Sequence, residues 1–197
     1  MRRRAVIQTV AGVVGAAGLT LGLGAWRSRD NPNPKRPLPL SEMDWALTDH
    51  RGTIVRPSDW LDRPVMVFFG FTWCPDVCPT TLIDIETWLT DLGPTVDQPV
   101  VALITVDPER DTPDVLADYI SYFSPRILAL TGNISEIAKA AEAFRVRYEK
   151  IPQDDGDYTM NHTAGVFLFR RGGAFAGIID FHEDTRVAMG KIKRAMN

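Results

Sequence analysis

The chain of 197 residues contains only two cysteines, Cys74 and Cys78, with three residues between them. They lie in Phe68-Phe69-Gly70-Phe71-Thr72-Trp73-Cys74-Pro75-Asp76-Val77-Cys78-Pro79, directly after an apolar run. Two thiols so placed support either disulfide exchange or coordination of a soft metal ion, because the thiolate serves both. A disulfide needs Cα atoms about 4.4–6.8 Å apart, which a three-residue spacer in a tight loop supplies. A purely structural bridge is the plain alternative, but closing so small a loop restrains the unfolded chain little. Pro79 favours the first helical position and biases its predecessor away from the α region. Cys78 is therefore expected at a helix N-cap, with Cys74 in the loop one turn earlier. A thiol at that N-cap meets the positive end of the helix dipole, which favours its thiolate.

Two thiolates call for a third ligand, and the chain offers three histidines. His50 reads as a polar residue of a hairpin turn. His182, in Phe181-His182-Glu183-Asp184, reads as a surface or capping residue between a strand and a helix. His162, in Met160-Asn161-His162-Thr163, directly precedes an apolar strand and is the candidate ligand. Two thiolates and an imidazole suit Cu(I), and imidazole also binds Cu(II). A structural zinc would ask for a fourth ligand, and no good one is visible. Asp76 either tunes the thiols or caps a turn. The run Asp107-Pro108-Glu109-Arg110-Asp111-Thr112-Pro113 is read first as turn and cap chemistry, with Asp107 a lesser candidate for support behind the ligands. Phe71 and Trp73 are expected to pack around the site, and an exposed Trp73 would instead contact a partner.

These side chains need a frame. Residues 45–55, turning at Asp49-His50-Arg51-Gly52, read as a β-hairpin, with a short turn over 58–61. Continuous apolar runs at 65–71 and 100–106 are the pattern of strands buried on both faces. Helical spacing marks 80–92, then 112–123 with Thr112 as cap and Pro113 in the first turn, then 135–146. A strand is expected at 127–131, and a hairpin or loop at 147–161. Residues 163–169 and 174–180 pair around Arg170-Arg171-Gly172-Gly173, and a helix closes the chain over 184–195. The order predicts an α/β, thioredoxin-like fold: a central mixed β-sheet flanked by helices, with an added N-terminal β-hairpin. The cysteines then occupy the first βα loop, at the carboxyl ends of the strands, where such sheets carry their sites. In that layout His162 faces them from the loop where a thioredoxin has a cis-proline.

The N-terminus is of another kind. Met1-Arg2-Arg3-Arg4 precedes an apolar, glycine-rich run to about Trp26, giving residues 1–26 the character of a membrane anchor or an export signal. About 20 residues suffice to cross a bilayer of ~30 Å. Residues 27–39 carry four prolines and read as an extended tether, leaving 40–197 as the folded domain. The arginines keep the leading end in the cytoplasm, so the domain belongs on the periplasmic or other extracytoplasmic side, held at the membrane or exported free. Disulfides persist there. Residues 1–36 hold seven of the 22 Lys and Arg and one of the 25 Asp and Glu, so the remainder carries a net charge of −9. That excludes nucleic acid as a plausible partner.

The motifs Phe69-Gly70-Phe71-Thr72-x-Cys74-Pro75-Asp76-Val77-Cys78-Pro79-Thr80-Thr81, Val106-Asp107-Pro108-Glu109-Arg110-Asp111-Thr112-Pro113, Leu130-Thr131-Gly132 and Tyr158-Thr159-Met160-Asn161-His162-Thr163 resemble those of the Sco/SenC proteins, over most of residues 40–197. Asn161 stands where many relatives have Asp. The resemblance implies a membrane-tethered, thioredoxin-like copper protein with ligands Cys74, Cys78 and His162. It implies delivery of copper to the binuclear copper site of cytochrome c oxidase, with that copper-bearing subunit as recipient and an upstream copper donor or thiol reductant. It equally allows a thiol–disulfide reductase that keeps the recipient's cysteines reduced through the redox pair Cys74 and Cys78. A peroxiredoxin-like peroxidase fits least, because Thr72 lies two rather than three positions before Cys74.

Overall fold

The computed structural model describes residues 36–94, 98–154 and 156–197. The expected anchor over 1–26 and the tether as far as residue 35 lie outside the described residues. Among the described residues no helix is long and apolar enough to cross a membrane.

The six-residue strands β3 (Val65–Gly70) and β4 (Val100–Thr105) are buried at every position, as their unbroken apolar character requires. They pair in parallel, and β4 pairs in parallel with β5 (Ile127–Thr131). Helix α1 (Val77–Leu92) joins β3 to β4, and α2 (Pro113–Ser121) joins β4 to β5. Both crossovers step the same way along the sheet, so right-handedness puts α1 and α2 on one face. Helix α3 (Ile134–Phe144) covers the other face, where the Phe144 ring meets Phe69, Phe167 and Phe169 at centroid distances of 5.2, 5.7 and 5.5 Å.

The chain then forms a separate two-stranded ribbon, β6 (Tyr148–Pro152) and β7 (Tyr158–His162), before re-entering the sheet. Strand β8 (Gly165–Phe169) runs antiparallel to β3, β9 (Phe175–Asp180) antiparallel to β8, and α4 (Thr185–Met196) packs on both. The expected hairpin is present as β1 (Leu47–Asp49) and β2 (Ile54–Val55), with β1 antiparallel to β5. The sheet therefore has seven strands in the order β2-β1-β5-β4-β3-β8-β9. This is the mixed, thioredoxin-like sheet with the added N-terminal hairpin that the sequence predicts.

The polypeptide joins this fold as early as Leu38, whose N–H donates to the Ala143 carbonyl at 3.0 Å. Leu40, in a short 3-10 turn (Leu40–Glu42), is fully buried and donates to the Gly173 carbonyl. Gly173 has φ of 82°, and a Cβ there would sit 2.9 Å from Leu40 Cβ and 2.7 Å from Leu61 Cδ2. Only glycine allows that contact.

Candidate metal centre

Strand β3 delivers the chain to the site, and Gly70 makes room for it. A Cβ at Gly70 would lie 3.0 Å from Cys78 Sγ, 2.8 Å from Phe68 Cε1 and 3.1 Å from Leu103 Cδ1. The Cys78 sulfur thus occupies space left by a missing side chain. Phe71 is buried beside it, whereas Trp73 turns outward and is 63% exposed.

The expectation that Cys78 caps the helix is corrected by the structure. Helix α1 begins at Val77, with Asp76 as its N-cap, and Cys78 lies inside the first turn. Proline fits one position further in because first-turn N–H groups have no intrahelical acceptor. The bias on the residue before proline yields to that arrangement. The Asp76 side chain makes no capping bond to the helix backbone, although its carboxylate accepts from Thr80 Oγ1 at 3.4 Å. The backbone N–H of Cys78 donates instead to Cys74 Sγ at 3.4 Å. The thiol served by the helix N-terminus is therefore Cys74.

The two sulfurs consequently differ. No disulfide joins them; Cys78 is buried and Cys74 half-buried. The Cys78 thiol as donor is the largest influence on Cys74. The N–H groups of Cys78 and Asp76 act in the same direction, against burial, and Cys74 is brought to about 4. Cys78 is pushed up, first because its thiol donates a hydrogen bond to Cys74, then by burial and by the neighbouring thiolate charge.

His162 ends β7, three residues before β8, so it stands on the ribbon rather than at the mouth of the sheet strand. Its Nε2 is 3.7 Å from Cys78 Sγ. Nδ1 lies 3.1 Å from the Thr163 carbonyl oxygen, which can only accept. Nδ1 therefore carries the proton and Nε2 presents its lone pair to the sulfur, the form an imidazole ligand needs. Phe68 and Phe71 approach the ring edge-on at 6.3 and 5.8 Å. Among the described residues, no group of three His, Cys, Asp or Glu side chains is arranged to hold an ion as it stands.

The other histidines lie elsewhere. His50 does more than turn the hairpin: its Nδ1 accepts from the Ala129 N–H and its own N–H donates to the Ala129 carbonyl, knitting the hairpin to β5. His182 has φ of 62° and packs on Phe181.

The loop between β4 and α2 contributes more than caps. Asp111 is fully buried and accepts from Thr72 N–H, Thr72 Oγ1 and Thr105 Oγ1 at 3.1, 2.6 and 2.5 Å, which fixes the start of the cysteine loop. Burial raises its carboxyl against those donors, and Asp107 adds to the rise. Asp107 accepts from Tyr158 Oη at 2.9 Å, so it reaches the ribbon that bears His162. The Tyr119 hydroxyl is enclosed without a hydrogen-bond partner among the described residues. Burial and then the charges of Cys78, Cys74 and Asp111 raise it. Gly70, Asp111 and Tyr119 have no local pattern that would single them out, since their partners are distant in sequence.

The chain and its fold have known relatives. The SCO1/SenC family model matches residues 34–197. The bovine (Bos taurus) mitochondrial SCO2 homolog is 34% identical over 195 residues, 95% of this chain and 72% of that protein. The structure of Bradyrhizobium japonicum ScoI with copper bound superposes with a TM-score of 0.72 at 38% identity, covering 82% of this chain and 100% of that one. Yeast Sco1 with copper bound gives 0.71 at 31% identity, covering 81% and 87%. With the family model spanning the whole described fold, cysteine loop and His162 ribbon included, the chain belongs to the SCO1/SenC family.

Proposed function

We propose that the reduced protein binds copper through Cys74 Sγ, Cys78 Sγ and His162 Nε2 and passes it to the binuclear copper site of cytochrome c oxidase. Members of the family take part in copper handling for that enzyme. The observation that carries the reading is the 3.7 Å approach of His162 Nε2 to Cys78 Sγ. With bonds of about 2.3 Å to sulfur and 2.0 Å to nitrogen, as zinc makes to these donors, that separation closes an angle of roughly 120° at a shared ion. Cys74, one turn away, completes the set by swinging its sulfur from the Cys78 N–H toward the ion. Copper is cargo here and must leave. The half-buried Cys74 is the ligand an incoming thiolate displaces first, while buried Cys78 and His162 hold the ion until exchange is complete. Residues 1–26 keep the domain at the extracytoplasmic face of the membrane, or export it free.

Titration of the reduced protein with Cu(I) against a competing chelator tests this. His162→Ala should weaken binding on the order of a hundredfold while leaving disulfide formation possible. Unchanged copper affinity would overturn the reading.

A second reading has its own support, the asymmetry of the thiols. The accessible Cys74 thiolate attacks a partner disulfide, forming a mixed disulfide and releasing one partner thiolate. Cys78, giving up its proton, then attacks Cys74 Sγ, closes the Cys74–Cys78 disulfide and releases the second partner thiol. The pair loses two electrons and the partner gains them. A His162→Ala protein that binds copper normally but has lost this turnover would favour the second reading over the first.

A further inference from the structure

Arg110 joins the two segments that bear the cysteines and the histidine, through hydrogen bonds and ring contacts to other residues of those segments. Its guanidinium carbon lies 3.8 Å from the Tyr158 ring centroid and 5.0 Å from that of Trp73. Nε donates to Asp107 Oδ2 at 2.5 Å, and Nη1 to the Tyr158 carbonyl at 3.0 Å and to Asp157 at 3.4 Å. Tyr158 Oη closes the circuit on the other oxygen of Asp107. Nη2 is enclosed without an acceptor among the described residues, so the fork is held by its surroundings rather than by solvent. Trp73 directly precedes Cys74. Tyr158 opens the five-residue strand that His162 ends. One planar cation therefore ties the cysteine loop to the His162 ribbon, which is not part of the main sheet. Beside that tie, the ribbon has its own ladder, the Thr163–Arg147 pair, and the exposed Lys150, whose Nζ lies over the Tyr158 ring and donates to Glu109 at 2.9 Å.

We propose that Arg110 is a positioning residue: it sets the separation between the cysteine loop and His162, and through it the affinity for copper. This rests on the reading of Cys74, Cys78 and His162 as the copper ligands. An ordinary structural ion pair would need only a positive charge opposite Asp107. The clamp needs a flat, multidonor group that stacks on a ring and reaches a backbone carbonyl at once, which lysine is not.

The test is a double-mutant cycle on Cu(I) affinity, measured by chelator competition on the reduced full chain. Arg110→Ala should weaken binding by about tenfold where His162 is present, and by less than about twofold in a His162→Ala background. Arg110→Lys keeps the charge opposite Asp107 and should still lose most of that affinity. An equal loss in both backgrounds, or full rescue by lysine, would reduce Arg110 to general stability and overturn the proposal. Amide exchange in the copper-free protein gives an independent readout. Arg110→Ala should speed exchange across β6 and β7 while leaving β3 and β4 unchanged, and an unaltered ribbon also overturns it. If the unsubstituted protein takes up no copper, the functional reading fails; if it does and Arg110→Ala binds equally well, the clamp fails.

Discussion

Cys74 and Cys78 are the same residue type four positions apart, yet they are chemically unlike. Cys74 accepts hydrogen bonds from the first-turn N–H and from its neighbour's thiol, and Cys78 sits in the slot beside Gly70. The asymmetry has a direct consequence for reactivity. In the reduced protein, Cys74 at about 4 is thiolate across the neutral range, so its alkylation by iodoacetamide should be nearly independent of pH from about 6 to 9, with Cys78 unreactive. Cys78→Ala removes the leading donor. It should bring back a rise of alkylation rate with pH, its midpoint moving toward the ordinary thiol value of about 8.5. The same shift links pH to stability. A thiol whose folded value is depressed stabilises the reduced fold fully above its unfolded value and loses that contribution as pH falls through about 4. Denaturant midpoints of the reduced protein should therefore rise with pH through this window more than those of Cys74→Ala.

At the scale of elements, the site is the meeting of three connections: the β3–α1 loop, the β4–α2 loop and the β6–β7 ribbon. The first depends on close approach. Gly70→Ala would force its Cβ against Phe68, Cys78 and Leu103, two of them core side chains with little freedom to move. It should destabilise by about 1–3 kcal/mol, read from a chemical denaturation midpoint, and displace the Cys78 sulfur enough to weaken copper binding as well. A substitution that costs stability without touching the sulfur would show only the first effect. Helix α2 needs no such device: Thr112 accepts from the Val115 N–H and Pro113 takes the first position, as its sequence announces.

Over the whole molecule, the segment before β1 belongs to the fold. Trp45 is buried between Trp60, at 5.5 Å, and Phe144 of α3, at 6.4 Å. It bridges the N-terminal hairpin region to the helix that covers the far face of the sheet. Trp45→Ala should cost about 3–5 kcal/mol in a denaturant titration, although it lies far from the cysteines in the sheet order. Copper affinity of the folded fraction should hold, because the Trp45 ring packs on Trp60 and Phe144, neither of which belongs to the three connections. A proportionate loss of affinity would mean that this layer governs the site as well as the stability.

By itself the sequence determined the fold class and singled out the candidate ligands. Unbroken apolar runs at Val65–Gly70 and Val100–Thr105 can only be strands covered on both faces. The Thr112-Pro113 and Asp184 caps fix helix starts through local hydrogen bonds. Cys74, Cys78 and His162 stood out because thiols and imidazoles are rare in this chain. Tertiary structure decided what each of them is. It placed Cys78 inside the helix and gave the helix N-terminus to Cys74, reversing the local expectation. It put His162 on a ribbon of its own, and it set Asp111, Arg110 and Tyr158 behind the candidate ligands. Asp111, Arg110 and His162 take those places through polar contacts with residues 39 to 84 positions away. A reading of spacing cannot reach them, since they depend on how the sheet brings separate loops to one end.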